Sequence, residues 1–385
     1  MWQMADFGAD LSLVDWWPLR AVLLTAALLS FALLAWRFRD RAMRMLLVPL
    51  VVVLLAVNVL AGANAYYGYY LTLSQALGIA GEGQGSLAML NARTAPPAAG
   101  VVVAVDIPGR DSGFQARPAS VYLPPAWFAS PRPRLPVVVL LHGTPGSPTD
   151  WLDGGEARQT ADRWTAQHGG VAPIVVLPDI NGGVFDDTEC LDSPRGAAET
   201  YLAADVPRFV RARFLARDPG RDWAVAGLSE GGSCAIMLAL RHPDVFATFG
   251  DFGGLLGPRD GDSNDPAGTV DALYGGSQQE FDAHEPVWLL SHARFPGLHG
   301  FFAVGDADAE PRAAVSQLAE LSRKAGIDTE VVVIPGGEHT FDVWRAAFAD
   351  ALPWIARKLK LTPSSGAGRR FGRAWRPQRR RWSGL

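Results

Sequence analysis

From Leu135 onward, short apolar runs of strand length alternate with longer amphipathic ones. LPVVVLLHG (Leu135–Gly143), APIVVLPDI (Ala172–Ile180), DWAVAGLS (Asp222–Ser229), LHGFFAVGDAD and DTEVVVIPGGEH read as strands running into loops. TYLAADVPRFVRARF (Thr200–Phe214), GGSCAIMLALRHP (Gly231–Pro243), AAVSQLAELSRKAG and TFDVWRAAFADALPWIARKL read as helices. Strands that are apolar along their whole length have no solvent face, so both faces of their sheet must be covered. Alternation of such strands with helices predicts an α/β fold with a mostly parallel sheet. Ahead of it, VVVAVDIPG (Val101–Gly109) and ARPASVYLPPAWF, bounded by Pro and Gly, read as a strand pair.

The N-terminal part follows a different rule. Leu19–Trp36 and Met45–Ala65 are apolar runs, each near the ~20 residues that cross a bilayer. They raise the hydrophobic share to 49% and hold charged residues to 19%, more apolar than a soluble enzyme of 385 residues. Arg37, Arg39, Arg41 and Arg44 lie between the runs, whereas Asp6, Asp10 and Asp15 precede the first. The positive-inside rule then puts the arginine loop in the cytoplasm, and both the N-terminus and everything after Ala65 outside. Trp16-Trp17 and Tyr66, Tyr67, Tyr69 and Tyr70 fit aromatic belts at the outer face. A cleaved signal peptide fits less well, because no small-residue cleavage site follows the first run and a second span does. Pro49 is tolerable within a span. The expected organisation is a membrane anchor over 1–70 with helices at about 19–36 and 45–65. A linker follows over 71–100, then a catalytic domain over 101–361 and an Arg-rich, disordered tail over 362–385.

Within that frame, Gly227-Leu228-Ser229-Glu230-Gly231 is a G-x-S-x-G between a strand, Trp223–Ala226, and a helix. The pattern alone is weak in a chain with 41 glycines, but strand–turn–helix is the context of a nucleophile elbow. The glycines admit a strained turn that lifts the Ser229 hydroxyl above the sheet edge. The helix N-terminus offers free N–H groups to an oxyanion. A serine hydroxyl needs a general base. Among the seven histidines, His339 follows an acid at the end of a later strand, completing the chain order Ser, acid, His. The acid is Asp308 or Asp306, both in Gly305-Asp306-Ala307-Asp308, and a G-x-x-D spacing favours Asp308. The oxyanion donors are the N–H of Glu230 and that of Gly143 or Thr144 in His142-Gly143-Thr144-Pro145-Gly146, since Pro145 has none. Glu230 serves this role through its N–H alone, with its carboxylate expected to face away from the oxyanion.

HGTPG, GLSEGGSCAIMLALRHPDVFATFGDFGG, VGDAD and GGEHTFDVW together resemble the esterase D-like branch of the α/β-hydrolases, over about residues 101–360. That branch includes feruloyl-esterase-like and enterochelin-esterase-like enzymes and the mycobacterial mycolyltransferases. The resemblance implies the α/β-hydrolase fold, no cofactor, and Ser229, His339 and an Asp as the triad.

Two cysteines, Cys190 and Cys234, exclude a disulfide framework and a four-ligand zinc site. They can pair on the oxidising side of a membrane or remain small buried hydrophobes. The acidic stretch Asp186–Asp192 has the look of a calcium loop but lacks EF-hand spacing, so it reads rather as a solvated loop or substrate rim, and no metal is expected. A net charge of −4 argues against a nucleic-acid binder. The tail carries Arg369, Arg370, Arg373, Arg376, Arg379, Arg380 and Arg381, which suit anionic lipid or an acidic wall polymer, or only solubilise. The expected function is a multi-pass, cell-membrane-anchored extracytoplasmic serine esterase acting on carboxylic esters, with lipid or cell-envelope esters suggested by the tether. An acyltransferase passing the acyl group to a sugar or lipid hydroxyl, and an inactive binding scaffold, are the alternatives.

Overall fold

In a computed structural model, residues 12–14, 17–37, 39–77, 84–85, 90, 96–261 and 265–361 are described. The Arg-rich tail, Trp16 and much of the linker lie outside the described residues. Among the described residues the main sheet has nine strands. They are β1 (Gln84–Gly85), β2 (Val101–Val105), β3 (Ala119–Leu123), β4 (Val137–Leu141), β5 (Ile174–Leu177), β6 (Gly220–Leu228), β7 (Phe246–Phe252), β8 (His299–Gly305) and β9 (Asp328–Ile334). Their spatial order is β1-β2-β3-β5-β4-β6-β7-β8-β9. β3 is antiparallel to β2 and β5, and every other neighbouring pair is parallel.

The apolar run of β4 is explained by its position. Val137, Val139 and Leu141 point into one core with Val176, Val225 and the helices Val206–Phe214, Glu230–Arg241 and Ala309–Lys324. Val138 and Leu140 point into the other with Val175, Ala224, Ala226 and the helices Ala157–Gln167 and Phe341–Lys358. This is the α/β-hydrolase fold, with the sheet covered on both faces.

Two helices precede it, α1 (Trp17–Trp36) and α2 (Arg41–Tyr67), both long and apolar enough to cross a membrane. Asp40 caps α2 by accepting the N–H groups of Ala42 and Met43, and Gly68 ends it in the left-handed region at φ 64°. The helices are joined by Asn58 Nδ2, which donates to the carbonyl of Arg20 at 3.0 Å. Their other sides expose Leu28, Leu29, Phe31, Val52, Val59 and Leu60. The end of α2 is fastened to the sheet domain. The Tyr69 hydroxyl donates to Asp150 Oδ1 at 2.7 Å, its ring meets Phe341 edge-on at 5.0 Å, and Arg345 Nη1 donates to the Gly68 carbonyl at 2.9 Å.

Candidate active site

The carboxyl ends of β4, β6, β8 and β9 converge on one edge of the sheet, the place where such folds bind ligands. Ser229 sits between β6 and the helix Glu230–Arg241 with φ 54° and ψ −123°, a rare conformation for a residue with a side chain. The flanking glycines are required by contact. A Cβ on Gly227 would lie 2.2 Å from the Gly231 carbonyl oxygen, and one on Gly231 2.4 Å from that of His142.

The structure brings Ser229, His339 and Asp308 together. Ser229 Oγ lies 2.9 Å from His339 Nε2, and His339 Nδ1 lies 2.6 Å from Asp308 Oδ2. Asp308 is largely shielded, with 13% of its side chain exposed against 39% for His339. The Trp344 ring stands perpendicular to the imidazole at 5.1 Å. Asp306, the other acid left open by the sequence, faces elsewhere. Its Oδ1 accepts the Gly336 N–H at 2.6 Å and so anchors the turn that carries His339. The two loops pack backbone on backbone, since a Cβ on Gly305 would meet the Gly337 carbonyl oxygen at 2.1 Å.

Gly143 lies against the nucleophile, where an added Cβ would be 3.1 Å from Ser229 Cβ. Its loop is held by His142, wholly buried, whose Nδ1 is 2.8 Å from the Gly143 carbonyl and whose Nε2 is 3.2 Å from Asp179 Oδ1. Burial alone would raise the Asp179 carboxyl. Hydrogen bonds from His142 and Arg117 outweigh it and hold the group well below the usual range. Glu230 Oε2 accepts hydrogen bonds from the Thr144 hydroxyl and from Asn181 Nδ2. Burial, with the nearby Asp187 carboxylate, pushes the Glu230 carboxyl up to about 7. Asn181 and Asp179 were not singled out in the sequence; their signal was a polar D-I-N-G-G at the end of β5.

Cys190 and Cys234 form a disulfide, with Cα atoms 5.8 Å apart. The acidic stretch is only partly solvated: Asp186 and Asp192 are exposed, whereas Thr188 and Glu189 are buried. The disulfide pulls this loop onto the helix that begins at Glu230, and Glu189 and Cys190 adopt φ of 51° and 55° to follow it. His242 and His284 both contact the buried Glu199, at 2.7 and 3.0 Å, and belong to a structural network.

Such a fold and edge define a class, and comparison with known proteins agrees. Residues 115–355 match the Esterase family model, described as "Putative esterase". The chain belongs to this family, and it is a serine esterase, a carboxylic ester hydrolase. An uncharacterized protein of Corynebacterium glutamicum is 36% identical over 352 residues, covering 88% of this chain and 82% of its own. Among solved structures, a ferulic acid esterase superposes with TM-score 0.58 at 22% identity, covering 68% of this chain and 99% of its own. An S-formylglutathione hydrolase from Agrobacterium tumefaciens gives 0.57 at 21%, covering 68% and 97%. At these identities the two structures speak to the fold alone.

Proposed function

We propose that the chain is a membrane-anchored, extracytoplasmic serine esterase that works through an acyl-enzyme on Ser229. The observation that carries this is the hydrogen-bonded series Ser229–His339–Asp308 at 2.9 and 2.6 Å. His339 Nε2 takes the Ser229 proton as Oγ attacks the ester carbonyl, and the oxyanion is met by the N–H groups of Glu230 and of Gly143 or Thr144. The proton then passes to the leaving alkoxide as the ester C–O bond breaks. Water, deprotonated by His339, adds to the acyl carbon and releases the acid and Ser229. Asp308 keeps the imidazole proton on Nδ1 and stabilises the imidazolium.

Anchoring is supported by α1 and α2 and their exposed apolar sides. The arginines between them and a disulfide in the sheet domain support the outside location. A substrate at the bilayer surface, a lipid or envelope ester, is supported by where α2 ends. Tyr69 packs on Phe341, two residues past His339. Val184 and Phe185 are exposed on a loop tied to the oxyanion loop, with Gly146 N–H donating to the Val184 carbonyl at 3.0 Å.

The test uses cells expressing the full chain and a membrane-impermeant fluorophosphonate. Labelling in intact cells, lost in Ser229→Ala, is expected. Labelling that needs permeabilisation would put the domain on the other side, and hydrolysis of vesicle-embedded esters no faster than of dissolved ones would remove the bilayer substrate.

A further inference from the structure

Glu230 offers one satisfied oxygen and one that is not. Oε2 is held by Thr144 and Asn181, whereas Oε1 is buried without a hydrogen-bond partner, and the residue is 9% exposed. The loop pinned by the Cys190–Cys234 disulfide brings two more carboxylates to it. Oxygen atoms of Asp187, Glu189 and Glu230 lie within 4.8 Å of one another. Asp187 Oδ1 is likewise buried and unpartnered. Glu189 is buried, at 6% exposed.

Cationic side chains neutralise this group only in part. Arg195 reaches Asp187 Oδ2 at 3.6 Å but is bound more closely to Asp260, at 2.6 Å. The Arg259 guanidinium is committed to Glu285 at 2.7 and 3.0 Å. No Lys or Arg pairs with Glu189 or Glu230 among the described residues. Three carboxylates at this spacing, two of them buried, repel unless a proton or a cation lies between them. The donors are all hard oxygens, the set that calcium prefers, and oxygens on opposite sides of a calcium ion are about 4.6–5.2 Å apart.

We propose that Asp187, Glu189 and Glu230 bind a calcium ion that ties the disulfide-pinned loop to the helix whose first N–H serves the oxyanion. Through Oε2 the same Glu230 carboxylate also holds Thr144 of the oxyanion loop.

The test uses the full chain in detergent, stripped with chelator, at about pH 8, above the ordinary carboxylate range. Titration of CaCl2 by calorimetry is expected to give one site and to raise the thermal midpoint. Glu189→Gln and Asp187→Asn are each expected to weaken binding roughly tenfold or more, since each removes a charged ligand. Absence of both heat and midpoint shift in the wild-type chain up to about 10 mM CaCl2, beyond the range of weak extracellular sites, overturns the proposal. A rise in midpoint for metal-free Glu189→Gln would then identify a shared proton as what holds the cluster. Calcium binding that survives unchanged in both variants places the ion elsewhere and also overturns it.

Discussion

Asp308→Asn separates the two acids that compete for His339. Asn is isosteric, so the perturbation is electrical rather than steric. In the native site the carboxylate accepts from His339 Nδ1 at 2.6 Å, which leaves Nε2 free to accept the Ser229 proton at 2.9 Å. An Asn amide can instead donate to Nδ1, which moves the imidazole proton to Nε2 and blocks proton transfer from Ser229. The imidazolium formed in the transition state also loses its counter-charge in a shielded place, with Asp308 only 13% exposed. Together these cost about 10⁴-fold in kcat for a triad of this geometry, or ~5.5 kcal/mol of transition-state stabilisation. Asp306→Asn keeps an acceptor for the Gly336 N–H at 2.6 Å and leaves His339 its partner. Its expected loss is below about tenfold, the scale of a weakened neutral hydrogen bond. The assay is steady-state hydrolysis of a short p-nitrophenyl ester by the full chain in detergent, with folding checked by thermal midpoint. An Asp306→Asn loss equal to or greater than that of Asp308→Asn would refute the assignment.

Three further outcomes follow from packing and charge. Asp251 is wholly buried at the end of β7, with Oδ1 accepting the Gly254 N–H at 2.8 Å and Oδ2 unpartnered, and burial pushes its carboxyl up to about 7. A raised acid stabilises the fold fully below its unfolded value of 3.8 and loses that contribution as pH climbs to about 7. Asp251→Asn should therefore gain on the wild type between those limits in thermal melts, by roughly 4 kcal/mol at most; a constant difference across that window would contradict the burial account. The Cys190–Cys234 bond closes a separation of 44 residues, so Cys190→Ser with Cys234→Ser should destabilise the domain by about 4 kcal/mol in the loop-entropy picture, read from denaturant midpoints. Tyr69→Phe removes the bond to Asp150 and should cost about 1 kcal/mol while slowing hydrolysis of vesicle-borne esters more than that of dissolved ones. Equal slowing of both would detach the α2 contact from substrate delivery.

Local pattern carried much of the fold. β4, β5 and β6 were legible because strands buried on both faces must be apolar throughout, and the elbow because Gly227 and Gly231 have no room for a side chain. β7 was not singled out as a strand. FATFGDF mixes Thr, Gly and Asp into a strand that is nonetheless fully buried, with Asp251 tolerated only because burial keeps it protonated through most of the acid range. The short helices Pro266–Tyr274, Gln278–His284 and Pro286–His292 lack a long apolar period and drew no reading. α2 extends past 45–65 because its ends are set by the Asp40 cap and Gly68, not by apolar length. At the site, spacing favoured Asp308 without excluding Asp306, since both follow β8 and the direction of each side chain decides between them. Burial of Glu189 and docking of Tyr69 arise from contacts 41 and 81 residues away in the chain, Glu189 to Glu230 and Tyr69 to Asp150, and no local pattern encodes them.

The central claim is that Ser229 is an activated nucleophile with His339 as its base. It is tested most directly by reacting the full chain with a fluorophosphonate and mapping the adduct by peptide mass, with Ser229→Ala and His339→Ala alongside. The account predicts an adduct on Ser229 in the wild-type chain that is absent from Ser229→Ala and slowed at least about 10³-fold in His339→Ala. An adduct on another residue, or equal labelling of Ser229 in His339→Ala, would contradict it.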